Sequence, residues 1–216
     1  MTLRVLILGA GGHAQVAADA LLRAAEVAPV AEPIGFLDDN LRLVGTSILG
    51  LPVLGTTADL SHFDHDAVFV GIGDNQTRAR LFTELASAQE QAISIVHPGS
   101  ILAPTVEMST GVLVCAGAIV NTGATIGNDT IINTGASVDH HCAVGDHCHV
   151  GPGVRLGGGV QIGAGTLLGI ASVVTPGRRV GEWSIIGAGS VVTRDLPDRV
   201  VAVGVPARVI KTLPGR

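Results

Sequence analysis

The sequence predicts an α/β first part, a small parallel βαβ unit, followed by an all-β second part made of very short strands repeating every six residues. Three observations carry this. Residues 3 to 8, Leu-Arg-Val-Leu-Ile-Leu, read as a buried strand and run directly into a glycine-rich turn and an alanine-rich helical stretch. From Leu102 to Val192 every sixth residue is aliphatic, sixteen in succession. If about a third of positions were aliphatic at random, such a run would arise roughly once in 10⁷ to 10⁸ trials. Rings are nearly absent, with 2% aromatic residues, no tyrosine and 30 glycines in 216 residues.

Composition removes several classes of function. An apolar fraction of 47% excludes disorder, and the length suffices for a core without metal or disulfide staples. The uncharged runs between Glu107 and Asp129 and between Arg155 and Arg178 are long enough to span a bilayer, but Gly, Thr, Ser, Asn or Gln interrupts both every few residues. No membrane segment is expected. The N-terminal apolar run is too short for a signal peptide, and three cysteines, Cys115, Cys142 and Cys148, have no framework spacing, so a reducing, cytoplasmic setting is expected. Residues 178 to 216 carry seven Lys/Arg against three acids, a balance of +4 on a chain of net charge −5. That suits a small polyanionic ligand better than nucleic acid.

In the first hundred residues, Gly9-Ala10-Gly11-Gly12-His13-Ala14 fits the G-x-G-x-x-G/A form. Glycines at such a turn let phosphate approach the N–H groups of a helix N-terminus. A second strand, 33 to 37, ends in Asp38-Asp39-Asn40, and a third, 67 to 70, ends in Gly71-Ile72-Gly73-Asp74-Asn75. Three such strand ends on one sheet edge form a plausible ligand crevice. A tight turn without a ligand is the alternative reading. Only about half of a dinucleotide fold fits before His97-Pro98, so a mononucleotide is favoured over NAD. Asp38 and Asp39 read equally well as acceptors for a base or ribose and as solvated turn residues.

A period of six matches neither a helix nor a continuous strand, but it suits two-residue strands joined by regular turns. Gly, Asn or Asp follows most of the aliphatic residues and supplies turn backbone. A second column four residues on is small or β-branched, Ala118, Ala136, Cys142, Cys148 and Ser172 among them, with Arg178 the one misfit. Trp183 is the single aromatic residue after position 100. The register also decides the cluster Asp139-His140-His141-Cys142-Ala143-Val144-Gly145-Asp146-His147-Cys148-His149: its cysteines fall in the interior column, which disfavours zinc, while His140 and His141 face outward. An outward neutral imidazole is a natural general base.

This hexad pattern, the segment Asn133 to Cys142, the Gly9 to His13 start and the Val203-Gly204-Val205-Pro206-Ala207-Arg208 end together resemble the bacterial hexapeptide-repeat sugar acetyltransferases, the group of sialic acid O-acetyltransferases and nucleotide-amino-sugar N-acetyltransferases. The resemblance spans essentially the whole chain. It implies a Rossmann-like nucleotide-binding domain over 1–97, a left-handed parallel β-helix over 98–196 with residues eighteen apart stacked in about five coils, and a CoA-contacting tail over 197–216. It further implies a homotrimer with active sites between subunits and acetyl-CoA as co-substrate.

By the same resemblance His140 is the base. The residue after it, ordinarily an acid that steadies the base, is here His141, so Asp139 or Asp146 would have to substitute. Gly158 N–H would steady an oxyanion, and eighteen-residue stacking independently sets Gly158 beside His140. His149, Gly169, Ile170, Gly187, Ala188, Ala207, Arg208 and Lys211 would meet CoA. Gly11, Gly12, His13, Asp38, Asp39, Gly73, Asp74 and Asn133 would meet the nucleotide-sugar substrate. The leading expectation is N-acetylation of a nucleotide-linked 4-amino-4,6-dideoxy sugar. A sialic acid-type O-acetyltransferase and a non-catalytic β-helix scaffold are the alternatives.

Overall fold

The computed structural model describes residues 2–215. Met1 and Arg216, the latter counted in the basic balance above, lie outside the described residues. The chain divides into two compact units, Met1–Pro98 and Gly99–Arg216. Among the described residues no helix is long and apolar enough to cross a membrane.

In the first unit a five-stranded sheet comprises β1 (Leu3–Leu8), β2 (Ala31–Leu37), β3 (Ser47–Ile48), β4 (Leu51–Gly55) and β5 (Ala67–Val70) in the order β3-β4-β2-β1-β5. Strands β4, β2, β1 and β5 are parallel, and β3 is antiparallel to β4. Parallel neighbours need crossovers: α1 (Gly12–Val27) follows β1, and α2 (Asn75–Ser87) follows β5. β1 is central and its run Val5–Leu8 is apolar, with Val5, Leu6 and Ile7 fully buried. Helix α1 runs past Leu22 to Val27, with Ala14, Ala17, Ala18, Ala20 and Leu21 on its buried face. The periodicity reading had not marked β4 or α2. α2 carries its own start signal, since Asp74 accepts the Thr77 N–H at 2.8 Å as an N-cap.

The second unit is the three-sided coil that the hexads predict. Side 1 contains the strands at 101–102, 119–120, 137–138, 155–156, 173–174 and 191–192; side 2 those at 107–108, 125–126, 143–144, 161–162 and 179–180; side 3 those at 113–114, 131–132, 149–150, 167–168 and 185–186. Every ladder is parallel and pairs residues eighteen apart, such as Ser137 with Ile119 and Arg155, or His149 with Ile131 and Leu167. The aliphatic column from Val114 to Val192 is buried, and so are the small residues at the corners, including Ala118, Ala136, Ser172 and Ser190. Arg178 keeps its side chain out of the interior, 40% exposed and 3.7 Å from Asp195. The final residues form a hairpin: Val200–Gly204 adds in parallel to 185–186, and Ala207–Thr212 returns antiparallel to it.

Cys142 and Cys148 sit in the interior column as the register requires, and Cys115, which directly follows Val114, is buried as well. Cys142 Sγ donates to Gly157 O at 3.2 Å and Cys148 Sγ to Gly163 O at 3.1 Å. Burial pushes the Cys115 thiol up to about 12 and also raises that of Cys142. We therefore expect all three thiols to resist a disulfide-exchange reagent at pH 8 in the folded protein and to react completely in denaturant. Prompt labelling of the native protein would contradict this packing.

Candidate active site

The corner at residues 139–142 gathers the expected catalytic residues. Asp139 Oδ1 accepts the His140 backbone N–H at 2.8 Å and Asn121 Nδ2 at 3.1 Å. The His140 N–H, foremost, holds its carboxyl below the usual range. Asp139 thus closes the turn. Both imidazoles are exposed, and His140 Nδ1 lies 3.1 Å from His141 Nδ1, with the rings edge-on at 78°.

On the next coil Gly158 lies directly under the His140 ring, where a methyl group would overlap Cε1 and Nε2. The neighbouring amides are used, Gly157 N–H by Val174 O and Gly159 N–H by His140 O, both at 2.9 Å. Gly158 N–H has no backbone acceptor among the described residues. An imidazole and an amide with no backbone acceptor therefore lie side by side, the two kinds of group that a general base and an oxyanion donor require. Gly123, one coil earlier, has the same role under His141, where a methyl group would stand 2.9 Å from Cδ2. Neither Gly123 nor Asn121 was singled out from sequence, although each lies eighteen residues before its partner.

The expected CoA residues occupy a different edge. His149, on side 3, bonds through Nε2 to Asn133 Nδ2 at 2.9 Å. Asn133, Gly169–Ile170 and Gly187–Ala188 stack on the corner that follows side 3. Ala207, Arg208 and Lys211 lie on the terminal hairpin strand, Arg208 and Lys211 exposed and Ala207 buried. Side 1 separates this edge from His140. Within one chain, therefore, His140, His141, Asp139 and Gly158 come together, and His149 does not join them. Trp183 packs its indole against Gly165 of its own coil column.

In the first unit the strand ends converge as expected. Gly9 takes a φ of +94° where a side chain would strike Ile72, and Gly71 abuts Ala14 of α1. Helix α1 starts at Gly12 with Gly11 as N-cap and no side-chain cap. His13 faces Gly73 of the third strand exit. Asp38 is half-buried: Oδ2 accepts Ala10 N–H at 2.7 Å and Oδ1 accepts Asn40 N–H at 2.8 Å, which fixes the glycine turn. Asp39 accepts from Thr57 N–H and Oγ1 at 2.9 and 2.7 Å. Arg78, which no motif marks, is buried in α2 and donates to Ile72 O, Gly73 O and Asn75 Oδ1 at 3.2, 3.4 and 3.0 Å, clamping the same loop.

A parallel βαβ unit with an open glycine turn, followed by a hexad coil with an imidazole set over a free amide, defines a hexapeptide-repeat acyltransferase. Comparison with known proteins agrees. Residues 4–85 match the PglD N-terminal domain, and residues 123–158 match the bacterial transferase hexapeptide (six repeats). Perosamine N-acetyltransferase (PerB) from Caulobacter crescentus, solved with CoA and GDP-perosamine, is 38% identical, with a TM-score of 0.88 over 96% of this chain and 97% of that one. The acetyltransferase domain of PglB from Neisseria gonorrhoeae, solved with acetyl coenzyme A, is 31% identical, with a TM-score of 0.89 over 97% and 100%. Curated relatives match over shorter segments: 54% identity over 44 residues to an Escherichia coli galactoside O-acetyltransferase, and 55% over 38 residues to a dTDP-3-amino-3,6-dideoxy-alpha-D-galactopyranose 3-N-acetyltransferase from Aneurinibacillus thermoaerophilus. The matched segments span about a fifth of those relatives, 22% and 20%. The chain belongs to the hexapeptide-repeat bacterial sugar acetyltransferases, and its coil is the left-handed β-helix of that family.

Because a Cβ at Gly158 would displace the His140 ring, Gly158→Ala should lower kcat for acetyl transfer by about two orders of magnitude, the scale set by losing an aligned base. Its melting temperature should stay within a few degrees of the parent's. Wild-type turnover in this variant would remove Gly158 from the site.

Proposed function

We propose that this protein transfers the acetyl group of acetyl-CoA to the 4-amino group of a nucleotide-linked 4-amino-4,6-dideoxy sugar. The observation that carries the reading is the His140 imidazole seated on Gly158 with the Gly158 N–H uncommitted. The amine nitrogen attacks the thioester carbonyl while His140 Nε2 takes its proton, and the developing oxyanion accepts the Gly158 N–H. Collapse of the tetrahedral intermediate expels the CoA thiolate, which is protonated in turn by the His140 imidazolium. The interior cysteines, protonated and sealed from solvent, have no part in a covalent route.

The nucleotide is assigned to the first unit, where Gly11, Gly12 and His13 open α1 and Gly73 and Asp74 border the same sheet edge. Helix N-terminal N–H groups suit its diphosphate. Asp38 and Asp39 shape this site through the backbone bonds described above. Likeness over nearly the full chain to an enzyme crystallised with GDP-perosamine supports a nucleotide-linked amino sugar.

For CoA, His149, Gly169, Ile170, Gly187 and Ala188 form one edge, on which Asn133, expected at the sugar substrate, also lies; Arg208 and Lys211, on the hairpin that pairs onto 185–186, would meet the phosphates. Side 1 lies between that edge and His140 and presents Ile101 and Ile119, 65% and 36% exposed, with Ser137, Val173 and Val191 half-buried and Arg155 exposed. A largely aliphatic face flanked by two half-sites fits a homotrimer in which the catalytic edge of one copy meets the CoA edge of the next. O-acetylation is the second reading, favoured by the 44-residue match to a galactoside O-acetyltransferase.

Thiol release with a panel of UDP-, GDP- and dTDP-linked amino sugars tests the reading. We expect turnover with at least one 4-amino sugar nucleotide and none with free sialic acid; the reverse result would establish the O-acetyl alternative. His140→Asn should lower kcat by about 10²-fold or more with CoA binding retained, and full activity in that variant would remove the base.

A further inference from the structure

A base working through Nε2 must carry its proton on Nδ1, and some acceptor must hold that proton there. The carboxylates close in sequence do not do so. Asp139 Oδ1 is turned to the His140 backbone N–H and to Asn121, and Asp146 Oδ1 accepts Asn128 N–H and Nδ2 at 2.6 and 3.3 Å. The group at His140 Nδ1 is another imidazole nitrogen, His141 Nδ1 at 3.1 Å.

The turn that carries His141 is left-handed, with φ of +68° at Gly123, +57° at His141, +68° at Gly159 and +67° at Gly177, and His141 alone among these four carries a side chain. The equivalent turn positions of the other two corners also accept a Cβ, at Asp129, His147, Ala171 and Trp183, so it is the Nδ1 contact and not the backbone that marks His141. Gly123 leaves room beneath the ring, just as Gly158 does for His140. Two glycines eighteen residues from their histidines thus seat a pair of rings whose Nδ1 atoms meet.

From this geometry, and resting on the base assignment above, we infer that His141 is the positioning residue of the site, a neutral imidazole whose Nδ1 accepts the Nδ1–H of His140 and keeps Nε2 of His140 unprotonated toward the substrate amine. His141 then bears its own proton on Nε2. The arrangement needs no carboxylate at Nδ1, and Asp139 is left to close the turn through the His140 backbone N–H.

His141→Gly gives the column its usual residue and removes the acceptor; His141→Glu supplies a carboxylate in its place. We expect His141→Gly to melt at or above the wild-type temperature while kcat falls about 10-fold or more with KM for both substrates within about twofold, and His141→Glu to recover kcat to within about threefold of wild type. A purely structural role would not separate stability from turnover in this way. The ¹⁵N spectrum of His140 supplies a second reading, Nδ1-protonated in wild type and His141→Glu and a tautomer mixture in His141→Gly. Wild-type kcat in His141→Gly together with an unchanged His140 tautomer overturns the inference. If His140→Asn retains full turnover, the base reading falls on its own, and the tautomer measurement still decides whether His141 orients the ring: a shift in His141→Gly upholds it, and none refutes it.

Discussion

The structure of the second unit depends on one constraint, that each residue of the coil stacks in register on the residue eighteen places along. The backbone N–H of one strand meets the carbonyl of the next at each of two positions per side, as in Ile131 N–H to Cys148 O and Asn133 N–H to Val150 O, both 2.9 Å. Two residues per side leave no slack: a one-residue slip would turn every aliphatic residue outward. The interior is therefore filled by two repeating columns of fixed size, and each corner must pass through left-handed backbone at one position. A ring inside would break the stack. This is why a unit rich in Val, Ile, Ala and Gly contains one tryptophan, and why that tryptophan lies outside, against a glycine.

The same constraint builds the site. Neighbouring strands stand about 4.8 Å apart, so a side chain at one corner lies over the backbone amide of the next coil without any loop to place it. His140 reaches Gly158 because the coil sets them one above the other, and glycine at 158 allows the imidazole to settle onto the amide plane. Rigid placement of this kind supplies the preorganisation that general-base and oxyanion chemistry need. The first unit works differently. There Asp38, Asp39 and Arg78 hold loop backbone in place around the glycine turns and the start of α1.

Much of this was legible in the sequence because it follows from period alone. The sixteen hexads place Gly158 beside His140 and set the cysteines inward before any coordinate is known. What was not legible depends on side-chain torsions and on non-repeating segments. The Nδ1 to Nδ1 contact requires both rings to lean toward each other, which spacing does not encode. The turn from Asp38 to Ala10 joins residues twenty-eight apart through one carboxylate oxygen, and Arg78 buries its guanidinium against carbonyls of a neighbouring loop; neither leaves a periodic trace. β4, which contains Pro52 and ends at Gly55, lacks the unbroken apolar run that marked β1, and α2 shows its cap but only a shallow apolar stripe.

The separation of the two edges follows from the same rigidity. His140 and His149 are nine residues apart, half of the eighteen-residue repeat, so the coil puts them on different edges however the side chains rotate. No hinge could bring them together, since every strand between them is bonded to the coils on either side. The exposed aliphatic residues of side 1 lie on the face bordered by both edges. In the trimer proposed above, that face is where the half-sites of neighbouring copies would meet.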